Sequence, residues 1–134
     1  KGQFAAAEAM KFAASKVEEM GNSQVLLTER GNMFGYGDMI VDYRNLIWMK
    51  EMGYKVIMDC THSLQQPNNG SGITGGLPGL IEPMAKAAIA VGVDGLFIET
   101  HPDPSKALSD GANMLSLHKM EDLLSKLLRL RASL

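Results

Sequence analysis

Residues 55–59 read KVIMD, residues 80–91 read LIEPMAKAAIAV and residues 95–99 read GLFIE. Two short runs, apolar along most of their length, flank an alanine-rich stretch that is too long for a strand and that Gly92 stops. Strands without polar alternation are covered on both faces, and a crossover of a dozen or more residues makes them parallel neighbours rather than a hairpin. The same grammar extends outward. QVLLT at residues 24–28 is a third apolar run bounded by turn residues, and residues 42–52 return to helical spacing through Leu46, Ile47 and Met49 before Gly53. Residues 5–20, AAAEAMKFAASKVEEM, are rich in helix formers, and residues 117–130 form an amphipathic leucine helix. The order is helix, strand, helix, strand, helix, strand, helix, which defines an α/β protein.

The strand starts are spaced by about thirty to forty residues, as in the βα units of a barrel. An eight-unit barrel takes ~250 residues, and 134 residues supply roughly half of one. A flavodoxin-like doubly wound domain is the alternative on periodicity, although its first strand is followed by no matching phosphate loop. With 46% apolar and 21% charged residues the chain can bury a core, so disorder is not expected. Cys60, the single cysteine, excludes an internal disulfide and fits a reducing cytoplasm. A net charge of −2 offers no broad basic face for nucleic acid. No run approaches the ~20 apolar residues of a membrane span, and no signal pattern opens the chain.

Polar chemistry collects after each strand: Thr28, Glu29 and Arg30; Asp59, Thr61, His62 and Gln65; Glu99, His101 and Asp103. In parallel α/β folds ligands bind at this carboxyl edge. Arg30, among glycines in RGNMFGYG, has the planar fork that holds phosphate or carboxylate, helped by the amides of Gly31 and Gly35; the plainer alternative is an ion pair with Asp38 or Asp42. His62, Glu99 and Asp110 offer nitrogen and oxygen donors suited to Zn, Fe or Mn, or else merely cap turns and end a strand. The loop GSGITGG, residues 70–76, could bring amides and the hydroxyls of Ser71 and Thr74 to an anion, or be only a mobile surface loop; a loop that orders on a ligand satisfies both. Alternation places Cys60 with Val56 and Met58, which favours packing over ligation.

Four strings in order, TERGNMFGYGDMIVDYRNL (residues 28–46), MDCTHSLQQP (58–67), VGVDGLFIETHPDP (91–104) and ALSDGANML (107–115), closely resemble the 3-deoxy-D-manno-octulosonate 8-phosphate synthase family. The related 3-deoxy-D-arabino-heptulosonate 7-phosphate synthases match them less well. The resemblance implies a cytoplasmic homotetramer of (β/α)8 barrels, of which this chain covers the C-terminal half as one domain, residues 1–134. It implies a transferase of lipopolysaccharide biosynthesis that condenses phosphoenolpyruvate with D-arabinose 5-phosphate. By the same resemblance, Arg30 and Gln3 hold phosphoenolpyruvate, Gln65 lies beside the substrates, and Thr74, a serine in many members, contacts the sugar phosphate. His62, Glu99 and Asp110 correspond to the catalytic and metal-binding set of metal-dependent members. Their fourth ligand, a cysteine that is asparagine in metal-independent members, belongs to the first half of the barrel. Lys1 matches the second lysine of a KKxQF string, and TGGLPG stands where many members have SGGxR, without that arginine. A competing expectation from another class is a non-catalytic fragment that acts as an interaction module.

Overall fold

In the computed structural model, residues 1–34, 37–67, 70 and 74–134 are described. The elements run α1 (Ala9–Glu19), β1 (Leu26–Glu29), β2 (Asn32–Met33), β3 (Met39–Ile40), α2 (Arg44–Glu51), β4 (Lys55–Asp59), β5 (Gln65–Gln66), β6 (Gly75–Gly76), α3 (Ile81–Val91), β7 (Gly95–Phe97), β8 (Thr100–His101), β9 (Leu115–Ser116) and α4 (Met120–Ala132). Strands β1, β4 and β7 form one parallel sheet in that order, with Leu27 opposite Val56 and Met58 opposite Leu96. The chain then continues into β8, which pairs in parallel with β9. Sequentially adjacent parallel strands, each crossed over by a helix, make the α/β class expected from the apolar runs.

The sheet has two unlike faces. Leu27, Val56 and Met58 are at most 3% exposed and pack with Leu46, Met49, Ile81, Ala85 and Ala88 of the helices in one core. On alternate positions Leu26 and Phe97 remain 59% and 43% exposed. Period-two alternation thus covers one face with helices and leaves the other open.

Helix α1 departs from expectation. It begins at Ala9 rather than residue 5, and it turns Ala14 inward while its larger apolar side chains, Phe12 and Val17, point outward. Residues 117–119 form a separate 3-10 turn before α4, so His118 precedes that helix. The strand expected at residues 95–99 is broken after Phe97, and β9 is an additional short strand that no apolar run announces. Helix α3 ends as the sequence suggests: Gly92 takes a left-handed φ of 91°, and its N–H donates back to the Ala88 carbonyl at 3.1 Å.

At the amino edge of the sheet, Asp94 accepts from the Val56 amide at 2.9 Å and from Lys55 Nζ at 3.2 Å. These contacts tie the β4 and β7 starts together and hold the Asp94 carboxyl below its ordinary value, the Val56 amide foremost. The polar clusters lie at the opposite, carboxyl edge.

Candidate active site

Glu29 ends β1 with its side chain fully buried. Its Oε1 accepts from the Gly31 amide at 2.7 Å, its Oε2 accepts from Asn45 Nδ2 of α2 at 2.9 Å, and Lys1 Nζ lies 3.5 Å from Oε1. A buried carboxylate is tolerated only with such partners. Together they fix the turn after β1, where Gly31 adopts φ 84° against the backbone of Ile40. Arg30 is thereby held at the strand end, half-buried, and donates from Nη2 to Gln65 Oε1 at 3.0 Å. The alternative ion pair is not formed. Asp42 instead takes Arg44 at 2.7 Å, and Asp38 accepts from Gln66 Nε2 at 2.6 Å.

Gln65 extends the chain of hydrogen bonds, donating from Nε2 to Asp110 Oδ1 at 2.8 Å. Asp110 belongs to the loop before β9 and is held at a left-handed φ of 52°. This loop is packed from both sides. A Cβ on Gly111 would lie 2.3 Å from the Pro104 carbonyl oxygen, and one on Gly76 would lie 1.7 Å from Asn113 Oδ1. Close approach is therefore the reason for glycine at both positions.

His62, Glu99 and Asp110 come from three separate loops, and one donor atom from each lies within 4.8 Å of the others. His62 Nε2 faces Glu99 Oε1 at 3.6 Å, too far for a hydrogen bond. Glu99 Oε2 is buried without a hydrogen-bond partner among the described residues. Ligands at ~2.0–2.2 Å from one divalent ion stand up to about 4 Å apart, so a small contraction would bring this set around a single centre. Nitrogen and carboxylate donors, together with an orphaned carboxylate oxygen, fit such an ion.

Two neighbours shape this cluster. Thr61 Oγ1 accepts from the Glu99 amide at 2.7 Å, and Asp59 accepts from the amides of Thr61 and His62 and lies 2.8 Å from His62 Nδ1. Both belong to the polar cluster that follows the second strand, and an aspartate three positions before a histidine at a strand end is a readable signal for a role beside that histidine. Cys60 is fully buried, and burial pushes its thiol up to about 12.

The remaining candidates sit at the same edge. The Gln3 carbonyl accepts from the Met33 amide at 3.0 Å, beside the Arg30 turn. Thr74 is exposed at the entry to β6, whose partner is β5, the strand that carries Gln65. Gly35, Ser71 and Gly72 lie outside the described residues. Gln65 also lines a cavity of about 350 Å³ together with Tyr43, Leu64, Leu77 and Met84.

A carboxyl-edge cluster of this composition on a parallel α/β sheet defines a class, and comparison with known proteins agrees. The chain belongs to the DAHP synthetase I family, whose model matches residues 1–134. Among curated proteins, the 2-dehydro-3-deoxyphosphooctonate aldolase of Desulfotalea psychrophila is 47% identical over 133 residues, covering 99% of this chain and 48% of the relative. The protein of that name from Agrobacterium fabrum is 53% identical over 128 residues, covering 96% and 45%. The name is another for 3-deoxy-D-manno-octulosonate 8-phosphate synthase. Among solved structures, the phospho-2-dehydro-3-deoxyheptonate aldolase (DAHP synthase) of Thermotoga maritima superposes with a TM-score of 0.83 at 27% identity, over 99% of this chain and 37% of that one. The chain thus spans a little under half the length of the curated relatives it matches.

Proposed function

We propose that this chain is the C-terminal half of a (β/α)8 barrel, a single domain, and that the complete protein is a 3-deoxy-D-manno-octulosonate 8-phosphate synthase. Three observations support the barrel: sequentially ordered parallel strands, an open sheet face carrying Leu26 and Phe97, and relatives about twice as long. The first half would cover that face. Among the described residues no helix is long and apolar enough to cross a membrane, and we assign the enzyme to the cytoplasm as a homotetramer, as the family resemblance implies.

One observation carries the activity: the hydrogen-bonded line Arg30–Gln65–Asp110 joins a guanidinium, with no ion-pair partner among the described residues, to the His62, Glu99 and Asp110 donors. The reaction joins phosphoenolpyruvate, D-arabinose 5-phosphate and water into the eight-carbon sugar acid phosphate and inorganic phosphate. Carbon 3 of phosphoenolpyruvate attacks the sugar aldehyde, water adds at carbon 2, and the C–O bond to phosphate breaks. Both substrates are anions, so Arg30 binds phosphoenolpyruvate with its fork and Gln3 approaches from the adjoining turn. Gln65 keeps Arg30 and Asp110 at fixed separation, which orients phosphoenolpyruvate against the donor cluster. Thr74 lies where a hydroxyl can donate to the sugar phosphate. A divalent ion, Zn, Fe or Mn, held by His62, Glu99 and Asp110 would supply Lewis acidity toward a carbonyl oxygen or water. Without one, Glu99 and Asp110 can accept the protons of that water.

The test is substrate choice by the complete protein. Phosphoenolpyruvate with a five-carbon aldose phosphate gives an eight-carbon acid, whereas the heptulosonate reaction needs a four-carbon one. Preferred release of phosphate with D-arabinose 5-phosphate is expected; preference for the four-carbon aldose would replace the assignment, and release with neither would reject it.

A further inference from the structure

We infer that Asp59 is a positioning residue that fixes the tautomer of His62, keeping Nδ1 protonated so that Nε2 presents its lone pair to the space shared with Glu99 and Asp110. The inference deepens the proposed reading and rests on it for the identity of the site. Asp59 closes β4, where it pairs with Phe97, so its backbone is locked by the sheet on that side. Its Oδ1 accepts from the amides of Thr61 at 2.9 Å and His62 at 2.8 Å. These two bonds leave Oδ2 aimed at His62 Nδ1, 2.8 Å away. A carboxylate offers only acceptors, so the ring nitrogen facing it carries the hydrogen.

The far side of the ring agrees with this. In a neutral imidazole with hydrogen on Nδ1, Nε2 is an acceptor. Nε2 faces Glu99 Oε1 at 3.6 Å without hydrogen-bonding it, and Glu99 Oε2 has no partner among the described residues. With the hydrogen on Nδ1, the Nε2 lone pair is turned toward the Glu99 carboxylate, and a cation between them would satisfy both. The ring also stacks obliquely on Phe97, with centroids 5.7 Å apart, which limits rotation. A carboxylate behind a ligating histidine, holding its tautomer and direction, raises metal affinity by about 10- to 100-fold.

Asp59→Asn separates position from chemistry. The amide oxygen can keep both backbone bonds, which turns the NH₂ group toward His62 Nδ1. That ring nitrogen must then accept, and the hydrogen moves to Nε2. The experiment is nitrogen-15 magnetic resonance of histidine-labelled complete protein, free of metal, at a pH of about 8.5, with the His62 signals assigned by their loss in His62→Gln. Protonated Nδ1 and bare Nε2 are expected in the wild type, and the reverse in Asp59→Asn. Zn²⁺ titration should shift Nε2 alone, and Asp59→Asn should bind Zn²⁺ about 10- to 100-fold more weakly.

A hydrogen on Nε2 in the wild type, a Zn²⁺ shift at Nδ1, or unchanged tautomer or affinity in the variant would each overturn the inference. Should the variant not fold, the wild-type tautomer and the nitrogen that moves with Zn²⁺ decide it. These readouts use no substrate. A wild type with the expected tautomer and Zn²⁺ response but no synthase activity would sink the proposed function and leave the Asp59 role standing.

Discussion

Replacing Glu29 by glutamine changes almost no volume, yet it removes a buried negative charge at the root of the Arg30 turn. The buried carboxylate accepts from Gly31 and Asn45 and neutralises Lys1 Nζ. An amide keeps one oxygen for these groups and offers an NH₂ to the rest, so at least one buried donor faces another, at about 1–3 kcal/mol. Breaking a buried ion pair costs about 3–5 kcal/mol, but Lys1 Nζ also donates to the Ala5 carbonyl at 3.2 Å and to Asn32, which retains part of that energy. The expected loss is therefore about 3 kcal/mol. Urea unfolding of the complete protein should show a midpoint lowered by about 1 M or more for m-values of ~1–3 kcal/mol per M. A double-mutant cycle with Asn45→Ala should give a coupling of at least ~1 kcal/mol, since the two residues share a bond. A Glu29→Gln loss below about 1 kcal/mol, with additive cycle energies, would refute the assignment of Glu29 as the buttress of this turn.

Arg30→Ala should raise the Michaelis constant for phosphoenolpyruvate, because a charge-assisted contact is worth about 1.5–3 kcal/mol, or roughly 10- to 150-fold; an unchanged constant and rate in steady-state kinetics would remove Arg30 from the site. Cys60, with its thiol at about 12 and no exposure, should resist iodoacetamide at pH 8 in the folded protein and react once urea unfolds it, as followed by intact mass. Asp94 is held below its ordinary 3.8, so its stabilising share is present above that value and lost as pH falls through its lower folded pKa. Acid unfolding of Asp94→Asn should accordingly show a shallower loss as pH falls below Asp94's ordinary 3.8 than the wild type, and identical curves would count against the Val56 contact.

Strand β4 matches the expected residues 55–59 because the apolar run of Val56, Ile57 and Met58 lies between charged Lys55 and Asp59, after the helix-ending Gly53. The third strand ends earlier than its apolar letters suggest. Its apolar letters continue through Ile98, but the ladder with β4 stops at Phe97 and resumes as β8 against β9. Two residues, Leu115 and Ser116, carry no periodicity at all, so β9 is visible only through its pairing with Thr100 and His101. Helix α1 misleads for another reason: Phe12 and Val17 form the more apolar stripe, yet the surface available to the helix accepts small side chains such as Ala14. His62, Glu99 and Asp110 could be named from strand ends and resemblance, whereas the bonds that join Arg30, Gln65 and Asp110 span 35 and 45 positions and no local pattern encodes them.

Asp110 carries two demands at one position. Its φ of 52° lies where aspartate, asparagine and glycine are tolerated and where most other side chains cost roughly 1–2 kcal/mol. Its carboxylate is meanwhile held by Gln65 and aimed at the His62 and Glu99 donors. Substitution there is filtered twice, by backbone shape and by charge, and few residues pass both filters. An alanine at 110 would confound lost chemistry with a distorted loop. Asparagine separates them, since it keeps the backbone conformation and gives up only the charge. The loop thus narrows the mutational routes by which this site could drift toward another activity, independently of any selection on the reaction itself.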